Sequence, residues 1–284
     1  MTLAATTPST ALRIEPLTSA IGAVVDGIDL TVRLTHGELR DLRAAIHRHR
    51  VVFLRGQHLS LEEHRHLGEQ LGPLAVSPLH RLLGTARTVS TIADDAERPP
   101  AGFGWHTDLS WTAAPPSLGI LSAVEIPAVG GDTLWASLPA VLAALPADAQ
   151  KACRGLRADH AADATLLRSV ERHHGPEVAV RLRRANPPVA HPLVRTHPVT
   201  GEALLFLSPL YLQRLIGIER RQGDRMLREL NGLLEDPHVQ VRWRWQAGDV
   251  AIWDEVATCH RALTDHFPQR RTMRRCVVRG DGPR

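Results

Sequence analysis

The 284 residues predict a mainly β protein with flanking helices, an α+β chain whose core is an antiparallel double sheet. Three observations carry this. Strand-like runs fall on both sides of helical inserts. Strands and helices show no regular βαβ alternation, which argues against a doubly wound sheet. Residues Val239-Gln240-Val241-Arg242-Trp243-Arg244-Trp245 alternate strictly between apolar and polar, the pattern of a half-buried strand. No proline-rich linker divides the chain, so it reads as one domain over 1–284, with lid or pocket segments at 76–104 and 155–190.

Taken in order, Leu12 to Leu17 and Ile21 to Val25 read as short strands broken at Thr18-Ser19-Ala20. Thr35 and Glu38 have capping-box spacing and open a helix to about His49, with Leu39, Leu42 and Ile46 on one face. Val51 to Leu54 is a buried strand. Ser60 and Glu63 repeat the box before a helix to about Leu71. Residues 76–104 are punctuated by Pro and Gly and hold one expected strand, Thr88 to Ile92. Ser117 to Ile126 is a strand, and Gly130-Gly131-Asp132 is a turn feeding another. Ser137 to Cys153 is helical with a break at Pro146. Residues 155–190 read as a helical insert rich in Arg, His and Ala. A strand returns at Leu204 to Leu207, and a helix spans Glu219 to Leu234. The alternating strand follows, then Val250 to Trp253, and Met273 to Arg279 closes the chain.

Composition narrows the function. A content of 43% hydrophobic and 23% charged residues is that of an ordinary globular protein. The net charge is only +4, and Arg181 to Arg184 is a compact basic run that reads as a solvated helix face, so no nucleic-acid partner is expected. Met1 to Ala11 has no apolar export segment and no long apolar run occurs, so no membrane partner is expected and a cytoplasmic setting is. The three cysteines, Cys153, Cys259 and Cys276, lack metal or disulfide spacing. Cys259 reads as a buried strand residue rather than a nucleophile. The expected partner is a small-molecule substrate; a homo-oligomer is left open.

The chemistry gathers at Gly104-Trp105-His106-Thr107-Asp108. In extended chain, His106 and Asp108 share a face and can lean toward one ion. A bare His-x-Asp is weak evidence in a chain with 16 histidines. The late His260 is the best third ligand, and two His plus one carboxylate with open positions is the ligand set of non-haem Fe(II) oxygenases. A zinc hydrolase on the same ligands, an inactive binding-only protein and an Arg-rich nucleic-acid binder are the rival readings. Oxygen uptake on adding Fe(II) and 2-oxoglutarate separates the first from an oxygenase.

With these residues in place the chain resembles the taurine dioxygenase (TauD/TfdA-like) family of Fe(II)- and 2-oxoglutarate-dependent dioxygenases. The resemblance runs through Val51-Val52-Phe53-Leu54-Arg55, Trp105-His106-Thr107-Asp108, Gly130-Gly131-Asp132-Thr133-Leu134-Trp135, His191 to Pro198, Ile252-Trp253-Asp254 and Pro268-Gln269-Arg270-Arg271. It implies a double-stranded β-helix (jelly-roll) core, Fe(II) as metal, and 2-oxoglutarate and O2 as cosubstrates. It further implies that His106, Asp108 and His260 hold iron, that Thr133 and Arg271 bind 2-oxoglutarate, and that Arg275 reads the substrate anion or shares the cosubstrate site. His191 and His197 match structural residues. The implied reaction is hydroxylation of an aliphatic C–H in a small anionic compound, a sulfonate, alkyl sulfate, phosphonate or carboxylate, giving succinate and CO2. An amino acid or natural-product intermediate is the alternative substrate. Where the taurine enzyme has other pocket residues this chain has Ser77, His80 and Gly102, and Glu255-Val256 follows Trp253-Asp254, so a taurine pocket is not expected. An inward Arg275 needs a counter-charge, expected from water, a buffer anion or the shared cosubstrate carboxylate in the free enzyme and from the substrate head group in the complex, with Asp265, nearby in sequence, as the main alternative.

Overall fold

The structure, a computed structural model, describes residues 12–102 and 104–283; the Met1–Ala11 stretch read above lies outside them. The chain runs β1 (Arg13–Pro16), β2 (Ala23–Asp26), α1 (His36–His49), β3 (Val51–Leu54), α2 (Leu61–Leu71), α3 (Pro78–Leu82), β4 (Ser90–Asp94), β5 (Leu118–Glu125) and β6 (Thr133–Ser137). It continues with α4 (Leu138–Ala143), α5 (Ala147–Arg154), β7 (Arg157–His160), α6 (Ala164–His174), α7 (Pro176–Ala185), β8 (Val189–Pro192), β9 (Val194–Thr196), β10 (Ala203–Leu205) and β11 (Leu212–Ile216). It ends with α8 (Arg220–Leu233), β12 (Gln240–Trp243), β13 (Val250–Asp254), β14 (Thr258–Ala262) and β15 (Arg271–Val278). Both expected capping boxes form, with Thr35 and Ser60 each accepting the amide three residues on while Glu38 and Glu63 reach back.

Seven strands make the larger sheet in the order β1-β2-β3-β13-β5-β15-β4, antiparallel apart from β2 with β3. Facing it is the smaller sheet β12-β6-β14. Between the sheets lie Phe53, Leu121, Ala251, Trp253 and Met273 from one side and Trp135, Val241 and Trp243 from the other, all buried. Phe53 stacks on Trp243 with ring centroids 4.1 Å apart. Gly119 is opposite Trp253 in register, and a Cβ there would stand 2.2 Å from the indole, so only glycine lets this ring lie flat across β5. The burial of β3 on both faces explains its unbroken apolar run. Val51 and Phe53 face the other sheet, while Val52 and Leu54 meet the layer of α1 and α2. In β12, Val241 and Trp243 face inward and Arg242 is exposed, so this strand alternates.

Helices cover the outside. Leu42 and Ile46 of α1 and Leu67 and Leu71 of α2 pack on the larger sheet. Leu138, Val141 and Leu142 of α4 and Leu230 of α8 pack on the smaller one. A further cluster joins Val170 of α6 and Ala179 and Leu182 of α7 to Trp111 and Tyr211, with Leu79 and Leu82 of α3 against it.

Two expectations need correction. Residues 76–104 hold a short helix, α3, besides the strand. The insert at 155–190 is bracketed by β7 and β8, which pair with each other, and β7 pairs on its other side with β11. Arg157-Ala158-Asp159-His160 is too short and polar to show a strand period, and Pro192 in β8 masks the other.

Candidate active site

The extended-chain expectation holds for half of the His-x-Asp pair. His106 forms a bridge with His260 of β14, each amide donating to the other's carbonyl at 2.9 and 2.8 Å. The two imidazoles then lie side by side, ring centroids 4.3 Å apart. After His106 the chain leaves the extended form and turns, with Leu109 at φ +52°. Asp108 reaches its neighbours from that turn rather than from a strand. One ligand atom from each of His106, Asp108 and His260 lies within 4.8 Å of the others, and all three residues are buried.

The surrounding bonds set the state of each group. His106 Nδ1 donates to the Gly104 carbonyl at 2.8 Å. That bond turns the Nε2 lone pair toward Asp108, 3.7 Å from Oδ1. Burial pulls both imidazoles down, His260 to about 3 with His106 adding to the effect. Burial pushes Asp108 up, but Arg275 and the two histidines more than offset it and hold the carboxyl below its usual range. Two neutral imidazoles beside an ionised carboxylate is the protonation state that divalent-metal ligation requires. Asp108 Oδ2 and His260 Nδ1 have no hydrogen-bond partner, and a cation is the charge this donor set suits.

Arg275 NH1 donates to Asp108 Oδ1 at 2.9 Å. Asp265, the alternative counter-charge, lies elsewhere: its Oδ1 accepts the Gly131 amide at 2.8 Å. Arg271 donates through Nε to the Gly131 carbonyl at 3.0 Å, and its NH2 is buried without a partner. Gly130 and Gly131 both have positive φ. A Cβ on Gly131 would stand 2.9 Å from Arg271 Cδ, and one on Gly130 would stand 2.8 Å from the His266 amide nitrogen. The double glycine therefore brings β6 close to the segment carrying Arg271. Thr133 Oγ1 accepts the Trp245 indole N–H at 3.0 Å, leaving its own hydrogen to donate.

His106, His260, Thr133, Arg271, Arg275 and Gly102 line one cavity of about 530 Å³. Its outer wall comes from 91–94, 98–102 and α6, and is largely apolar at Leu79, Ile92, Leu166 and Val170. His173 and His174 are exposed and line its outer side. Ser77 and His80 are not in this cavity. They sit with Asp108 and Arg275 around a side chamber of about 20 Å³. Ser77 also caps α3 by accepting the His80 amide at 3.2 Å, and the His80 ring contacts Thr85 and Ser90 hydroxyls.

A second His-His-carboxylate group, His47, His197 and Asp254, is equally tight. Its valences are already used. His197 Nδ1 accepts the Val199 and Thr200 amides, so Nε2 carries the hydrogen and donates to Asp254 Oδ2 at 2.8 Å. His47 Nδ1 meets the same oxygen at 2.8 Å, and Oδ1 accepts two amides. This is a hydrogen-bonded tie, not a ligand set. His191 is likewise occupied, its Nε2 lying 3.0 Å from the Ser110 and Thr112 carbonyls.

Four residues of the site have no place in the sequence reading as functional groups. Glu255 Oε2 accepts the Asp108 amide at 3.1 Å, and burial beside Asp108 pushes its carboxyl well up. Trp245, Asp94 and His266 are the others. The departure at Glu255 was the one available signal; nothing local marks the rest.

Comparison with known proteins agrees with this geometry. A family model described as taurine catabolism dioxygenase TauD, TfdA family matches residues 13–277. An alpha-ketoglutarate-dependent sulfate ester dioxygenase from Pseudomonas putida is 32% identical over 96% of this chain and 91% of its own. An alkylsulfatase from Acinetobacter baylyi is 32% identical over 96% of this chain and 87% of its own. Among solved structures, a taurine dioxygenase from Burkholderia xenovorans superposes with a TM-score of 0.81 at 34% identity, covering 96% of this chain and 93% of that one.

Proposed function

The chain belongs to the taurine catabolism dioxygenase TauD, TfdA family, and on that premise we propose that its substrate is a small sulfate ester or closely related organic anion held by Arg275. The protein is an Fe(II)- and 2-oxoglutarate-dependent dioxygenase, an oxidoreductase with the jelly-roll fold of that family. When bound, iron with 2-oxoglutarate and O2 supplies hydroxylation of a substrate C–H, giving succinate and CO2.

The geometry supports the following assignment of residues. His106, Asp108 and His260 hold the metal. The Gly104 carbonyl keeps His106 in the tautomer that offers Nε2, and Glu255 holds the Asp108 backbone in its turn. Arg271 NH2 and the Thr133 hydroxyl receive the distal carboxylate of 2-oxoglutarate, for which the planar guanidinium fork is suited. Apolar walls contributed by 76–104 and 155–190 exclude water and select the substrate's carbon skeleton.

One observation carries the substrate reading. Arg275 lines both the main cavity and the side chamber, and its nearest charge is Asp108, so an anion entering the cavity meets a guanidinium beside the metal ligands. The similarity to a sulfate ester dioxygenase and an alkylsulfatase supports a sulfate head group. Hydroxylation of the carbon bearing the ester oxygen would collapse to an aldehyde or ketone and release sulfate. The free, buried thiols suit the reducing cytoplasmic setting we propose, and no described helix is long and apolar enough to cross a membrane.

The test is succinate formation across alkyl sulfates, sulfonates, phosphonates, aryloxy acids, amino acids and uncharged alcohols. Alkyl sulfates should stimulate turnover most, and Arg275→Ala should raise KM for the sulfate far more than for 2-oxoglutarate. An uncharged best substrate, or equal rises in both KM values, would return Arg275 to the cosubstrate site and end the anionic reading.

A further inference from the structure

The wall around Arg271 contains a second buried donor that no step above uses. The His266 side chain is 1% exposed and lines the same cavity as Arg271 and Thr133. Neither of its ring nitrogens has a hydrogen-bond partner, although the Leu263 carbonyl faces the ring. Arg271 NH2 is unpartnered in the same wall. Buried donors without acceptors each cost on the order of 1–3 kcal/mol, so their gathering at one place points to a ligand rich in acceptor oxygens.

The glycine turn fixes how close these donors are. A Cβ at Gly131 would stand 2.9 Å from Arg271 Cδ and 3.4 Å from His266 Nδ1, so Nδ1 and the guanidinium stem flank the same missing side chain. On the other edge of the ring, Nε2 lies 3.7 Å from Asp94 Oδ2. Asp94 is opposite Arg271 in the pairing of β4 with β15, so it too faces this end of the cavity. A bare carboxylate there would repel an incoming carboxylate. The imidazole stands between.

We infer that His266 donates from Nδ1 to the distal carboxylate of 2-oxoglutarate beside Arg271, and that Asp94 is the positioning residue that orients the ring. A single proton held by either Nε2 or Asp94, which stand 3.7 Å apart, leaves Nδ1 with its hydrogen for the cosubstrate. Burial pushes the Asp94 carboxyl up and pulls the His266 imidazole down, which places that proton on the pair without adding a net charge. The inference rests on the assignment of Arg271 to the same carboxylate.

Calorimetry on the Mn(II)-loaded full chain separates the possibilities, with 2-oxoglutarate and 2-oxopentanoate as probes. The second probe keeps the metal-facing keto acid and lacks the distal carboxylate. His266→Phe should weaken 2-oxoglutarate about 10- to 100-fold, the loss of one hydrogen bond to a charged group, and leave 2-oxopentanoate unchanged. His266→Gln, which keeps a donor on a flexible stem, should restore most of the affinity, and Asp94→Asn should cost less than His266→Phe. Equal weakening of both probes would mean that His266 only shapes the wall and would overturn the inference. So would undiminished 2-oxoglutarate binding in His266→Phe. Loss in Arg271→Ala without loss in His266→Phe would overturn the inference while leaving the Arg271 assignment standing; loss in neither would overturn both.

Discussion

Asp108 carries several constraints at once. Its amide is held by Glu255, its Oδ1 by Arg275, and its Oδ2 is left without a partner. A replacement must fail in a specific way. His106→Ala, Asp108→Ala and His260→Ala should each abolish Fe(II)-dependent turnover while circular dichroism shows the fold retained, and near-normal activity in any one removes that residue from the ligand set. Arg271 is different because its proposed partner is the distal carboxylate of the cosubstrate rather than the metal. Removing one partner of a buried charge pair costs on the order of 2–5 kcal/mol, so Arg271→Ala should raise the 2-oxoglutarate dissociation constant roughly 30- to several-thousand-fold. An unchanged constant, read by calorimetry, would move the role to Arg275.

The Gly130-Gly131 turn ahead of β6 shows how a local rule becomes a site. At φ +74° and with Arg271 Cδ 2.9 Å from any added Cβ, Gly131→Ala should lower the thermal midpoint by the equivalent of about 1–3 kcal/mol and weaken 2-oxoglutarate binding together. Loss of stability with intact cosubstrate binding would show that the turn does not position Arg271. Such turns are legible in sequence because glycine pairs announce themselves, as do the capping boxes at Thr35 and Ser60. The strict alternation around Val241 disclosed β12 for the same reason. The fold class, both N-terminal helices and the convergence of His106, Asp108 and His260 in space could be anticipated this way. What could not be anticipated depends on long-range pairing. The strands β7 and β8 are polar or proline-marked, and β7 exists because it pairs with β8 on one side and β11 on the other. The partner of Arg275 is 167 residues away in sequence, not the nearby Asp265. His266 and Asp94 meet Arg271 only once β4 lies beside β15.

Acid should unfold this molecule early, because several imidazoles are buried neutral throughout its core. Burial holds His64 near about 4 and His160 near about 3, below their unfolded value. The unfolded chain therefore binds more protons than the native one once pH drops below about 6.5, and stability falls with pH from there until the native groups titrate. Each contributes on the order of 3 kcal/mol to that fall. Asp254, held down to about 2 by the bonds of His197 and His47 against the opposing effect of burial, adds a loss that begins only below the unfolded carboxylate range, about pH 4. His160→Phe should therefore flatten the decline of the thermal midpoint between pH 7 and 4; an unchanged slope would show that the ring is not neutral in the native state. The layering of the chain has a kinetic consequence as well. The elements α3, α6 and α7 are tied by their own small apolar cluster, separate from the clusters on and between the sheets. Amide hydrogens there should exchange through openings much smaller than global unfolding, whereas those of β5 and β13 should wait for the whole fold. Entry to the cavity would then keep a clock of its own, and the rate of product escape could be retuned by repacking three helices while the strands of the two facing sheets stay still.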